Sequence, residues 1–99
     1  MKNIFTKIRK EFDHRTRLGI MSMLMVNEWV GFKTFKETLN LEDGTLASHL
    51  KKLEANEFIK IKKEFIGRKP QTSYAVTEIG RKAFTDHLDA LEEIIRQSK

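Results

Sequence analysis

Ninety-nine residues, 11.6 kDa, allow one compact domain, because two would leave each too small to hold a core. The chain is 39% hydrophobic and 33% charged with one proline and no cysteine. That profile suits a helix-leaning globular domain and excludes disulfide scaffolds, zinc fingers, iron–sulfur sites and thiol catalysis.

Residues 3–12 read as a short amphipathic helix, with Ile4, Phe5, Ile8 and Phe12 at spacings of three and four. Asp13 is the expected N-cap of a second helix running to about residue 27. Met21, Met23, Leu24, Met25 and Val26 make its second half apolar nearly all round, as befits the middle of a core. Trp29, Val30, Gly31 and Phe32 suit a brief extended segment, and residues 33–40 a short helix with Phe35 and Leu39 on one side. Residues 41–44 then make a turn, with Asp43 placed to cap a helix over 43–56. Period-two alternation predicts strands over 58–66 and 72–77, joined by a five-residue tip, residues 67–71. Thr77 caps a last helix reaching almost to residue 99. The longest apolar stretch, residues 19–26, is far short of a membrane span, and no secretory signal is seen. A soluble, cytoplasmic protein without membrane association is expected.

Two short helices joined by a tight turn and followed by a basic hairpin make a winged helix-turn-helix. The second helix of the pair tests this physically. With Leu46 at zero on a helical wheel, Leu50 falls at roughly 40° and Leu53 at roughly −20°, a narrow apolar stripe that sets the buried face. Gly44, Ser48, Lys51 and Ala55 fall at roughly 140–200°, and Thr45 and Lys52 near 240–260°. This outward face is small, hydroxyl-bearing or basic, as a helix entering the major groove requires. Gly44 has two readings: close approach of a phosphate to the helix N-terminus, or a turn made by Asp43 and Gly44. His49 lies at roughly −60°, on the flank of the leucine stripe, and reads as a half-buried packing residue rather than a base reader.

The net charge of +5 is unevenly placed. Residues 1–12 carry +3 and residues 58–76 carry +4, while residues 13–57 and 77–99 carry −1 each. Clustering of this kind is the electrostatic footprint of an anionic polymer partner, against the plainer reading of solubility. Arg68 and Lys69 at the hairpin tip suit phosphate or minor-groove contact, with Lys60, Lys62 and Lys63 along the preceding strand. The expected site on double-stranded DNA is therefore Gly44, Thr45, Ser48, Lys51, Lys52, Arg68 and Lys69. Lysines on a hairpin edge also serve simply to prevent sheet-to-sheet pairing.

The run over residues 32–54 resembles the helix-turn-helix of small winged-helix transcriptional regulators. Its most specific part is Asp43-Gly44-x-Leu46-x-x-His49-Leu50. A second stretch, residues 68–84, with Thr72, Tyr74, Thr77, Gly80 and Phe84, resembles the wing, its return strand and a Thr-x-x-Gly helix start. Similarity to the MarR-like and ArsR-like winged-helix group extends over roughly residues 13–90. It implies a prokaryotic transcription factor, in the main a repressor, acting as a homodimer. Thiolate-based metal sensing of the arsenic-repressor kind is not implied, since the ligands are absent.

Phe84, Leu88, Leu91 and Ile95 recur at spacings of four, three and four on the last helix, a coiled-coil-like seam. Its C-terminal part is expected to pair with a second copy, helped by Ile4, Phe5, Ile8 and Phe12; the interface is thus Ile4, Phe5, Ile8, Phe12, Leu88, Leu91 and Ile95. The whole is an α+β, mostly helical, single domain over residues 1–99. Its parts are a helix-turn-helix over 33–56, a two-stranded β-wing over 58–77 with a short third strand, and dimerisation helices over 1–12 and 84–99. Met21, Met23 and Met25 are core filling before they are a pocket for a small-molecule effector. His14, His49 and His87 form no metal-ligand pair, and no phosphate loop or nucleophile elbow occurs, so no catalysis, metal or cofactor is expected. The rival reading is a winged-helix protein-interaction module. RNA is disfavoured because the aromatics follow the core pattern rather than standing exposed for stacking.

Overall fold

Leu46, Leu50 and Leu53 are all buried, as their spacing requires, in one core cluster with Ile20, Leu24, Phe35 and Phe84. The computed structural model describes residues 7–12 and 14–98. A 3-10 turn over Lys10–Phe12 leads into α1 (Arg15–Met25), β1 (Val30–Gly31), α2 (Phe32–Leu39) and α3 (Asp43–Ala55). The chain continues as β2 (Ile59–Ile66), β3 (Lys69–Val76) and α4 (Glu78–Gln97). The antiparallel sheet has the order β1-β3-β2, with β1 pairing only through Val30 to Tyr74 and Gly31 to Ser73. This is the expected winged helix, α+β and mostly helical.

Among the described residues of the expected N-terminal helix, 7–12, there is no α-helix. Lys10–Phe12 form a 3-10 turn, and the Arg9 amide just before it donates to Nδ1 of His87 on α4 at 3.0 Å. Ile4 and Phe5 lie outside the described residues. Phe12, expected at a dimer interface, is fully buried in its own chain, its ring 5.0 Å from Phe58 and edge-on to Phe84 at 5.1 Å. The turn exists to deliver that ring.

Asp13 likewise lies outside the described residues; the cap of α1 is His14, whose Nδ1 accepts the Thr16 amide at 3.0 Å. The helix stops at Met25, short of residue 27, where the Asn27 side chain donates to the Met23 carbonyl at 2.8 Å. Asp43 does not cap α3 either. Glu42 occupies the cap without a side-chain bond, and Asp43 is the first helical residue, held at 2.8 Å by Lys36 of α2. A carboxylate there still suits the positive end of the helix dipole, and its hydrogen bond and charge hold the Lys36 ammonium above its usual range.

The wing is tighter than its sequence suggests. Pairing continues through Phe65 to Pro70 and Ile66 to Lys69, leaving a turn of two residues, Gly67 and Arg68, instead of five. Gly67 alone takes a positive φ, +66°, the pattern of a turn with glycine first. Pro70 does not end the strand because β1 covers only Ser73 and Tyr74, so the outer half of β3 is an edge where proline is tolerated.

One junction ties the elements together. Beyond α3 the Phe58 amide donates to the Leu53 carbonyl at 3.0 Å and the Glu57 amide to the Glu54 carbonyl at 2.9 Å, a Schellman closure with Glu57 at φ +64°. Thr77 caps α4 as expected, accepting the Gly80 amide at 2.9 Å, and its hydroxyl donates to the Glu57 carbonyl at 2.6 Å. The Thr77 amide donates to the Phe58 carbonyl at 3.1 Å. A Cβ on Gly80 would lie 2.0 Å from that carbonyl oxygen, so only glycine lets α4 sit this close. Gly80→Ala is therefore expected to lose about 3 kcal/mol or more in urea unfolding, through a backbone clash that no rotamer relieves. Glu57→Gly is expected to gain up to about 1 kcal/mol, by relieving a left-handed conformation that side chains resist.

Candidate nucleic-acid interface

Burial of the α3 leucines turns Gly44, Thr45, Ser48, Lys51 and Lys52 to solvent, all five exposed. They do not form one surface. A cleft of about 630 Å³ separates α3 from the wing; Gly44, Ala47, Ser48, Lys51 and Glu54 line its helix side. Ile61, Lys63, Thr72 and Tyr74 line its strand side. Thr45 and Lys52 are not among the lining residues; the wing stands beside the other flank of α3.

Pleating explains which wing lysine reaches the cleft. Lys63 shares a face with Ile61, which packs against the core, and stands opposite Thr72. Lys60 and Lys62 fall on the other face, where their ammonium groups lie 5.7 and 4.3 Å from the centre of the Trp29 ring. Their ammonium groups lie over that indole rather than joining the α3 surface. Lys69 lines a second cleft of about 590 Å³ with Lys33, Thr34, Glu37 and Gln71, at the start of α2. Arg68 stands exposed on the turn itself and lines neither cleft.

The structure thus brings Gly44, Ser48 and Lys51 together, places Arg68 and Lys69 at the wing end, and adds Ala47, Lys63 and Thr72. Strand alternation from Ile61 gives Lys63, and the pairing register then gives Thr72, so both were within reach of the sequence. Glu54 is also in the cleft, an acidic side chain outside the group weighed on the wheel and three residues from Lys51. Gly44 is the second residue of α3 rather than part of a turn, and nothing lies within 4 Å of where its Cβ would be. The chain's own packing does not demand glycine there.

His49 is half-buried on the flank of α3, its ring 4.5 Å from that of His14, the α1 cap. Its Nδ1 is buried without a hydrogen-bond partner among the described residues. Desolvation, with His14, Arg17 and Lys52 nearby, pushes its pKa below the ordinary 6.5. No three His, Asp or Glu side chains among the described residues are grouped as a metal site needs. No helix among them is long and apolar enough to cross a membrane.

A helix-turn-helix whose second helix shares a cleft with a basic two-stranded wing defines a DNA-binding class of domain. The chain belongs to the winged helix DNA-binding domain family, whose sequence profile matches residues 16–95. It is 39% identical over 90 residues to an uncharacterized protein of Methanocaldococcus jannaschii, across 91% of this chain and 95% of that one. Its structure is similar to that of a transcriptional regulator homologue of Pyrococcus horikoshii OT3, with TM-score 0.88 at 27% identity over 100% and 99% of the two chains. A Porphyromonas gingivalis W83 protein assigned to the MarR family of transcriptional regulators shares the fold, with TM-score 0.66 at 22% identity over 88% and 80%.

The histidine contact yields a pH prediction. Because the folded pKa of His49 is lowered, the unfolded chain binds more protons below pH 6.5, and stability falls as pH drops through and below that value. Urea midpoints measured from pH 8 downward should show this decline, and His49→Gln should flatten it. An unchanged profile in that variant would assign the acid sensitivity elsewhere.

Proposed function

We propose that this chain is a sequence-specific regulator of transcription that binds double-stranded DNA as a homodimer. α3 enters the major groove, and the wing turn lies on the backbone or in the minor groove. Repression follows as the simplest output, since an occupied promoter excludes the polymerase without any further contact. The observation that carries the reading is the shared cleft. Its helix side offers Ser48 and Lys51, its strand side offers Lys63 and Thr72, and Arg68 and Lys69 extend the cationic edge outward. Serine and lysine on a groove-entering helix match base edges and phosphates, and wing cations add sequence-independent, salt-sensitive affinity. Catalysis has no part in this reading.

Pairing of two copies is assigned to α4. Leu88 is 43% and Ile95 62% exposed, with Leu91 and Ile94 half-buried beside them, an apolar strip on the helix's second half. Ile8 is half-buried and is kept as a minor contributor, while Phe12 is withdrawn because its own core holds it. Two α3 helices about one turn of DNA apart would read a near-palindromic site.

Selection of bound sequences from a random duplex pool at physiological salt tests the whole reading; a two-fold related consensus is expected. Absence of duplex binding even at low salt would overturn it in favour of an interaction module. Arg68→Ala with Lys69→Ala should reduce the slope of log affinity against log salt by about two per protomer, while Ser48→Ala alters sequence preference more than affinity. Gly44→Ala separates the two effects at the helix start. It should raise stability by about 1 kcal/mol yet weaken DNA binding, because the Cβ obstructs only an incoming phosphate. Leu88→Lys with Ile95→Lys should halve the mass seen by light scattering and weaken binding to a two-half-site duplex by about tenfold or more, leaving half-site binding intact.

A further inference from the structure

Phe12, Phe35, Phe58 and Phe84 are buried, but Phe65 on the wing is 74% exposed. It breaks the expectation that the aromatics follow the core pattern. An exposed phenylalanine forgoes a large apolar burial, so its place on the fold bears on what covers it. Phe65 shares a strand face with Ile61 and Lys63, both in the α3 cleft, and lies two residues further out. Pro70 stands opposite it in the ladder and gives it a rigid apolar neighbour on the same face. Ile66, 60% exposed, falls on the opposite face.

Charge decides the occupant. Lys63 precedes Phe65 on its face, and Arg68 and Lys69 follow at the turn, all three exposed. A hydrophobic protein surface covering Phe65 would have to desolvate these cations without compensation. A duplex offers both chemistries at once: phosphates on each wall of the minor groove, and deoxyribose and base edges as apolar surface between them.

We infer that Phe65, backed by Pro70, is an apolar contact between the wing and the minor groove of duplex DNA, set between phosphates held by Lys63 and by Arg68 and Lys69. This rests on the DNA-binding reading above and adds to it a salt-independent part of wing affinity. Arginine and lysine release counterions and so depend on salt; an aromatic contact does not.

The test is fluorescence anisotropy of a labelled mixed-sequence duplex over a sodium chloride series, with unfolding curves to confirm that each variant is folded. Phe65→Ala is expected to weaken binding by roughly tenfold at every salt concentration, shifting the line without changing its slope. Phe65→Leu should retain most of the affinity, and Ile66→Ala should stay within about twofold of the parent. Arg68→Ala should instead change the slope. Parent-like binding by Phe65→Ala, while Arg68→Ala weakens it, overturns this inference and leaves the DNA reading standing. Equal losses from Phe65→Ala and Ile66→Ala also overturn it. Failure of the parent chain to bind any duplex at low salt removes both.

Discussion

The close approach of Gly80 to the Phe58 carbonyl is the constraint on which the arrangement of the other elements depends. At this point the end of α3, the base of both wing strands and the start of α4 meet within a few backbone hydrogen bonds. Each of these three parts carries a proposed function: reading, clamping and pairing. Their mutual geometry is set by main-chain contacts rather than by long side chains, and main-chain contacts have little freedom to adjust. A helix start without side-chain bulk lets α4 leave the domain at a fixed angle to α3. In a paired molecule that angle determines how far apart the two reading helices lie.

Around the junction, polar caps and apolar packing divide the work differently at the two ends of the domain. Phe12, Phe58 and Phe84 form an aromatic cluster at the α4 end, with His87 buried against Phe12 at 5.4 Å. The α3 N-terminus, by contrast, is held to α2 by an exposed ion pair between Lys36 and Asp43, and exposed pairs contribute little stability. The site-bearing end is thus the more lightly held one. His14 and His49 brace it from the side, joining the α1 cap to α3 through two imidazoles tilted at 43°, one with a buried nitrogen lacking a partner among the described residues.

Much of the fold is legible in the sequence wherever periodicity meets burial. The leucine stripe of α3, the alternation at Ile59 and Ile61, and the Thr77 cap are local signals with one physical solution, and the structure adopts each. What escaped was decided by distant partners. Asp43 is drawn to Lys36 rather than to its own helix amides, and the Arg9 amide is taken by a histidine 78 residues away. The wing strand continues through Pro70 only because β1 is too short to need that edge. Within the candidate site, Ser48 and Lys51 followed from the wheel, and Lys63 followed from alternation once Ile61 was fixed inward. Glu54 and the division of Thr45 from Ser48 did not, because a wheel says which residues face out but not where the wing stands beside them.

The same distinction reshapes the meaning of the +5 charge. Part of the wing's excess, Lys60 and Lys62, is turned onto Trp29 and away from the reading face. On that face the cations are Lys51 and Lys63, with Arg68 and Lys69 standing at the wing end, and Glu54 opposes the first two within the cleft. Each phosphate neutralised contributes about −0.9 to the salt slope on duplex DNA, so in the proposed complex these few contacts would hold one protomer only weakly at physiological ionic strength. In the proposed dimer, doubling the set through α4 would convert two weak contacts into one intramolecular pair, a gain that needs no new side chain. On the same proposal, small hydroxyl and apolar side chains between the cations would carry discrimination, because the ionic part is too modest to mask them. A winged helix of this size has to be sparing with charge on its reading face if sequence is to count.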